Sequence, residues 1–252
     1  MDQALAEPGD AGILFDVGYC LMDETPRLEC ALGWLAEALA RDGRAPGPSE
    51  LRDAYLEACR RPDPTEPSLL VQMLRSLAVP ADATAALRRG VPWDWVPLDP
   101  YPEAIAALRQ LRSAGLRLGV LANQPASTQG ELERAGIASL CDGVWLSGAV
   151  KLAKPDPAFF RLALEAWALD PRRIAYVGDR PDNDVAPAKA LGMTAMRLRR
   201  GPHARQVARD ESERADLEAP DLAEAAGLLV AWRASLAASA SSRRPEPASA
   251  EE

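Results

Sequence analysis

Four short stretches carry side chains able to do chemistry, and each lies where an apolar run gives way to turn formers. In Gly12-Ile13-Leu14-Phe15-Asp16-Val17-Gly18 the apolar residues end at a carboxylate, Asp16, two positions ahead of a glycine. A carboxylate at the end of a buried strand can attack phosphorus or carbon, or ligate a divalent cation; it can equally cap a turn. The second stretch, Leu118 to Pro125, sets the amide of Asn123 at a helix start. Lys154-Pro155-Asp156-Pro157 sets a cation just ahead of another helix, and Tyr176-Val177-Gly178-Asp179 through Asn183-Asp184 gives two acids five residues apart. Singly, Asn123 and Asp184 are ordinary helix caps, Lys154 a solvated lysine and Asp179 a turn former. Gathered at one sheet edge, the same residues would form a site.

The element pattern supplies such an edge. The run through Leu14 and Phe15 reads as a central strand of a parallel sheet. Further strands are predicted over 116–122, 143–146, 174–177 and 194–198, with an edge strand over 215–217. Helices over 102–114, 127–135, 157–168, 184–191 and 222–236 alternate with them. This alternation predicts an α/β, Rossmann-like doubly wound parallel sheet, with ligands beyond the carboxyl ends of its strands. Between the first strand and this series, residues 23–96 repeat Leu28, Leu32, Leu35 and Leu39, then Leu51 and Tyr55, then Leu70, Met73, Leu74 and Leu77, at helical spacing. With prolines between these helices and no strand pattern, 23–96 is expected to be an all-helical insert in a core of 11–22 and 97–236. Trp34, Trp93 and Trp95 are read as packing residues, the last two also placed to line the seam between insert and core. From Ala237 the composition predicts a disordered tail over 237–252.

With 252 residues, 48% of them hydrophobic, a sizeable core is available. A net charge of −8 argues against nucleic-acid or anionic-membrane partners. No apolar run approaches the ~20 residues of a membrane span, and Met1 to Asp10 lack a signal-peptide pattern. Cys20, Cys30, Cys59 and Cys141 are scattered without a CxxC pair, so a cytoplasmic, reduced protein is expected, either monomer or homodimer. The single histidine, His203, falls in a Gly-Pro loop and is predicted at the surface. Ser-His-Asp and Cys-His catalysis therefore have little support, and Cys20 reads as a packing or site-wall residue.

Phe15-Asp16-Val17-Gly18, then Lys154-Pro155-Asp156-Pro157-Ala158-Phe159-Phe160, then Val177-Gly178-Asp179 through Asn183-Asp184-Val185, then Ala188-Lys189-Ala190-Leu191-Gly192-Met193 follow one another around the helical insert. Over roughly residues 11–235 the chain resembles the haloacid dehalogenase-like hydrolase superfamily with a helical, C1-type cap. The resemblance implies that Asp16 attacks a phosphoryl group to form an aspartyl-phosphate. It implies Mg²⁺ held by Asp16, Asp179 and the backbone carbonyl of Gly18, with Asp184 close to the metal or to Lys154. Lys154 would neutralise nucleophile and phosphate, and the Asn123 amide would contact a phosphoryl oxygen. The implied activity is that of a Mg²⁺-dependent phosphatase acting on a small phosphorylated metabolite.

Four residues, at three places, depart from that pattern. Gly18 stands where these phosphatases carry a general-acid aspartate, Tyr19-Cys20 where they carry Gly-Thr, and Ala122 where they carry a hydroxyl residue. Loss of a general acid typically costs ~10²–10⁴ in rate. Asp23 and Glu24 are close enough in sequence to substitute, although acids there are more ordinarily surface groups. The departures leave two other readings open: a catalytically impaired binding protein of this fold, and a hydrolytic dehalogenase forming a carbon ester with Asp16.

Overall fold

A computed structural model describes residues 9–241, except 42, 45, 67 and 92–95. The elements in chain order are β1 (Gly12–Phe15), β2 (Met22–Asp23), α1 (Thr25–Arg41), α2 (Pro48–Arg60), α3 (Leu69–Ser76), α4 (Ala81–Gly90), β3 (Asp99–Pro100), α5 (Ala104–Ser113) and β4 (Arg117–Ala122). They continue with α6 (Thr128–Arg134), β5 (Val144–Leu146), α7 (Ser147–Val150), α8 (Pro157–Trp167), β6 (Ile174–Gly178), α9 (Ala186–Ala190), β7 (Thr194–Leu198), β8 (Leu217–Ala219) and α10 (Leu222–Ser241).

Successive side chains of a strand point to opposite faces. In β1, Ile13 and Phe15 therefore join one apolar cluster with Leu108 and Leu111 of α5 and Leu229 of α10. Leu14 joins the other, with Phe159, Phe160 and Trp167 of α8. Both faces are covered, as a parallel sheet requires. The six strands run β5-β4-β1-β6-β7-β8, and each neighbouring pair is parallel. The chain thus folds as a Rossmann-like α/β core, with β1 between β4 and β6. This order puts the ends of those three strands side by side.

Helices α1 to α4 pack around a third cluster of their own, built from Leu28, Leu32, Leu35, Leu39, Leu51, Leu70, Met73, Leu74 and Leu87. At its root β2 and β3 form a two-stranded antiparallel ribbon, pairing Met22 with Pro100 and Asp23 with Asp99. No strand is predicted there, because two residues are too few to show alternation. Among the described residues no helix is long and apolar enough to cross a membrane.

Other boundaries differ from expectation for local reasons. Residues Pro181–Val185 form a wide π-type turn, so α9 starts at Ala186 and not at Asp184. The edge strand is 217–219, two residues later than predicted, and α7 is too short to show a periodicity. The last helix continues past Leu236 to Ser241, because alanine favours helix and its register simply extends. Residues 242–252 of the expected tail, and Trp93 and Trp95 of the expected seam, lie outside the described residues.

Candidate active site

Asp16 immediately follows β1, and its N–H donates to the carbonyl of Val177 in β6 at 2.8 Å. That bond sets Asp16 beside the end of β6, where Asp179 follows two residues on. The chain then turns tightly, with the N–H groups of Leu21 and Met22 both donating to the Val17 carbonyl at 2.9 Å. Tyr19 takes a left-handed φ of 54°, at a strain of about 1–2 kcal/mol for a residue with a side chain. Its ring packs against Gly201, where an added Cβ would fall 2.3 Å from Cδ1 of Tyr19. Tyr19 thus takes a backbone conformation that favours glycine, and Gly201 leaves the room its ring needs.

Lys154, just ahead of α8, is buried, and three groups surround its ammonium. Nζ lies 2.9 Å from Oδ1 of Asp16 and 2.7 Å from Oδ1 of Asp184, and it donates to the Tyr176 hydroxyl at 2.8 Å. All three of its N–H bonds are thereby accounted for. The Tyr176 hydroxyl in turn donates to the Leu121 carbonyl at 2.7 Å. Burial opposes the charge on Lys154, but the charges of Asp16 and Asp184 outweigh it and hold the ammonium above its ordinary range.

Asp184 uses its other oxygen, Oδ2, to accept the backbone N–H of Asp179 at 3.1 Å and of Arg180 at 3.0 Å. Gly178 makes this possible, since a Cβ there would lie 2.4 Å from that oxygen. Asp184 thus braces the lysine and the turn carrying Asp179. Asn123, after β4, spends its side chain on the same lysine: Nδ2 donates to the Lys154 carbonyl at 2.9 Å, and Oδ1 accepts the Lys154 N–H at 2.8 Å. One Nδ2 hydrogen remains for a ligand.

Among the described residues, Asp16, Cys20 and Asp179 form a group able to hold a cation, their ligand atoms all lying within 4.8 Å of one another. Asp184 does not belong to that trio. Oδ2 of Asp179 is buried with no hydrogen-bond partner. Burial, then the charges of Asp184 and Asp16, push the Asp179 carboxyl well above its ordinary range. Burial likewise raises Asp16, with Lys154 pulling back and Asp184 adding to the rise. Buried carboxylates so crowded, one with an orphaned oxygen, are the donor set a hard divalent cation fits.

Glu24, at the entry to α1, is half-buried and accepts a hydrogen bond from Nε2 of Gln124 on Oε1. Burial, then the charge of Asp16, push its carboxyl up to about 7, against the pull of Gln124 and Arg27. It lines a cavity of about 230 Å³ with Tyr19, Arg27, Tyr55, Asn123 and Gln124.

The structure therefore brings Asp16, Gly18, Asn123, Lys154, Asp179 and Asp184 to one rim of the sheet. Sequence reading missed Tyr176 and Gln124. A tyrosine in a buried strand needs a partner for its hydroxyl, which is the signal that could have singled out Tyr176. His203 is buried, not at the surface as predicted. Its Nδ1 meets Oε1 of Gln206 at 2.9 Å, and Gln206 donates to Oδ1 of Asp182 at 2.6 Å, so a polar network draws the loop inward.

Comparison with known proteins agrees with this arrangement. A profile described as hydrolase, haloacid dehalogenase-like hydrolase, matches residues 12–192. Glyceraldehyde 3-phosphate phosphatase of Methanocaldococcus jannaschii is 40% identical over 107 residues, 42% of this chain and 47% of that protein. The chain thus spans about half the length of that relative. Phosphoglycolate phosphatase of Cereibacter sphaeroides is 30% identical over 193 residues, 72% of this chain and 82% of that protein. A predicted phosphoglycolate phosphatase of Haemophilus somnus superposes with a TM-score of 0.65 at 20% identity, covering 89% of this chain and 99% of that one. The order of motifs along the sequence, their meeting at one sheet edge and a profile match over most of the chain lead to one conclusion: this protein belongs to the haloacid dehalogenase-like hydrolases.

Proposed function

We propose that the protein is a Mg²⁺-dependent phosphatase of a small phosphorylated metabolite, acting through an aspartyl-phosphate on Asp16. The observation that carries this reading is the buried ion cluster in which Lys154 bridges Asp16 and Asp184 beside the orphaned oxygen of Asp179. Residues 23–96 are read as a cap over a core of 11–22 and 97–236. The relatives named for glyceraldehyde 3-phosphate and phosphoglycolate support a small substrate, and the cavity of about 230 Å³ suits one. Free cysteines at 20, 30, 59 and 141 fit a reduced, cytoplasmic setting.

In this reading Asp16 supplies the attacking oxygen, and Lys154 favours its ionised form against burial while offsetting charge on the incoming phosphate. Asp184 and Tyr176 hold the ammonium in place, and Asn123 fixes the lysine backbone while offering its free N–H to a phosphoryl oxygen. Asp16 and Asp179, with the Gly18 carbonyl, would hold Mg²⁺, and the bound ion supplies positive charge to the phosphoryl oxygens. Asp184 serves that site from beside the lysine.

The test is turnover of 4-nitrophenyl phosphate. Activity is expected with Mg²⁺, and its loss after chelation and in Asp16→Asn by at least ~10³-fold. Equal rates in Asp16→Asn and wild type would sink the proposal. Halide release from a small haloacid, unaffected by chelator, would assign the chain to carbon–halogen hydrolysis instead.

A further inference from the structure

We propose that Glu24 is the proton donor to the leaving group, replacing the side chain that residue 18 lacks. This deepens the phosphatase reading and rests on it. A Cβ built on Gly18 would fall 2.6 Å from Cδ of Glu24 and 2.7 Å from each of its carboxylate oxygens. The carboxyl of Glu24 therefore occupies the volume into which any side chain at residue 18 would grow. Glycine at 18 and glutamate at 24 are two halves of one exchange: the acid reaches the same space from the entry of the helical cap instead of from the nucleophile loop.

The placement is held by Gln124. Gln124, next to Asn123 at the end of β4, donates to Oε1 of Glu24 and leaves the other oxygen for a proton. The Gln124 carbonyl accepts the Gly148 N–H at 2.9 Å and the Ser147 hydroxyl at 3.3 Å, so the donor is itself anchored. Glu24 shares its cavity wall with Asn123, whose free amide hydrogen the phosphatase reading assigns to a phosphoryl oxygen. The neighbouring acid is committed elsewhere. Oδ1 of Asp23 accepts the Thr25 N–H at 2.9 Å and the Tyr101 hydroxyl at 3.4 Å, on the ribbon beneath the cap.

The step balances as follows. An oxygen of Asp16 bonds to phosphorus as the bond from phosphorus to the leaving oxygen breaks, its electron pair staying on that oxygen. The Glu24 carboxyl passes its proton to it, releasing a neutral alcohol and leaving a carboxylate. That carboxylate then takes a proton from the water that attacks the aspartyl-phosphate, which regenerates the carboxyl and Asp16 and releases phosphate.

Leaving-group dependence tests this directly, using 4-nitrophenyl phosphate, whose leaving group needs little protonation, and phenyl phosphate, whose leaving group needs more. In Glu24→Gln, kcat on phenyl phosphate is expected to fall by about 10²-fold or more, and on 4-nitrophenyl phosphate by less than about 5-fold. The double variant Gly18→Asp with Glu24→Ala, which returns a carboxylate to the vacated space from the other side, is expected to recover phenyl phosphate turnover at least tenfold over Glu24→Ala. An equal fall on both substrates would make Glu24 a merely structural residue, and no fall on either would remove it from the reaction; each overturns the inference. So would a wild type that turns over only the nitrophenyl ester. If Asp16→Asn abolishes activity while Glu24→Gln shows no leaving-group selectivity, the phosphatase reading stands and only the Glu24 assignment fails.

Discussion

Lys154 is surrounded by three partners, and each can be removed separately. Tyr176→Phe deletes the hydroxyl that joins Nζ to the Leu121 carbonyl. It leaves a buried carbonyl and one ammonium hydrogen unpaired, at an expected cost of about 1–3 kcal/mol in denaturant unfolding. Because that hydroxyl positions the lysine without reaching substrate, kcat is expected to fall about tenfold while KM changes less than twofold. Lys154→Met is harsher, since Asp16 and Asp184 then share a buried space with no cation between them. About 3–5 kcal/mol of stability should be lost. Adding Asp184→Asn should recover part of that loss, and strict additivity in this double-mutant cycle would show that the two residues are not coupled.

At the scale of elements, the loop after β7 ties that strand to α2. Arg197 of β7 donates through Nη2 to the carbonyls of His203 at 2.7 Å and Gln206 at 3.0 Å, and through Nε to that of Asp179 at 3.3 Å. The Val207 N–H donates to the Arg60 carbonyl at the end of α2, at 3.1 Å. His203 sits inside this clamp, and burial, then the charge of Arg180, hold its imidazole down at about 3, against the opposite pull of Asp182, Gln206 and Asp184. The unfolded chain therefore binds a proton here from about pH 6.5 downward while the folded chain does not. This contribution is fully present above that pH and lost as pH falls toward 3, by at most about 1.4 kcal/mol per pH unit. The raised carboxyls of Asp16, Asp179 and Glu24 act with the opposite sign, so the total slope mixes the two. Comparing unfolding of wild type and His203→Asn between pH 7 and pH 5 isolates the histidine, and an unchanged slope would exclude it.

For the whole molecule the governing quantity is charge at the sheet rim, where Asp16, Asp179, Asp184 and Glu24 crowd around the buried Lys154, with Arg180 beside Asp179 and Arg27 beside Glu24. A chain of net charge −8 brings no distant excess of cations to offset them. Mg²⁺ at about 100 times its Kd is expected to add about 2.7 kcal/mol, which for a domain of this size is about 5–10 °C in Tm. In Asp179→Asn that rise should vanish. The ion-free Tm of this variant should match or exceed that of wild type, because a crowded buried charge has gone. A Mg²⁺ shift that persists in Asp179→Asn would move the cation site elsewhere.

The sequence by itself determined the fold and pointed to Asp16, Asn123, Lys154, Asp179 and Asp184 as neighbours at one rim. Apolar runs ending at Asp16, Asn123 and Asp179 are set by where strands can be buried, and alternation with helices then compels a parallel sheet whose strand ends meet. Lys154 and Asp184 were legible for the same reason, as polar residues placed at helix starts. What partners each side chain takes was decided only by tertiary structure. Asp184 divides its oxygens between Lys154 and two backbone amides, Asn123 spends most of its amide on a peptide group, and the Tyr176 hydroxyl enters from inside a strand that reads as core. His203 lies buried although its Gly-Pro loop reads as surface, since burial depends on Arg197 and Asp182, which come from other segments, as well as on Gln206 in the same loop. The space beside Gly18 is the sharpest case. Nothing local shows that Glu24 fills it, because that contact depends on where α1 leaves the sheet and on a hydrogen bond from Gln124, a hundred residues further along the chain.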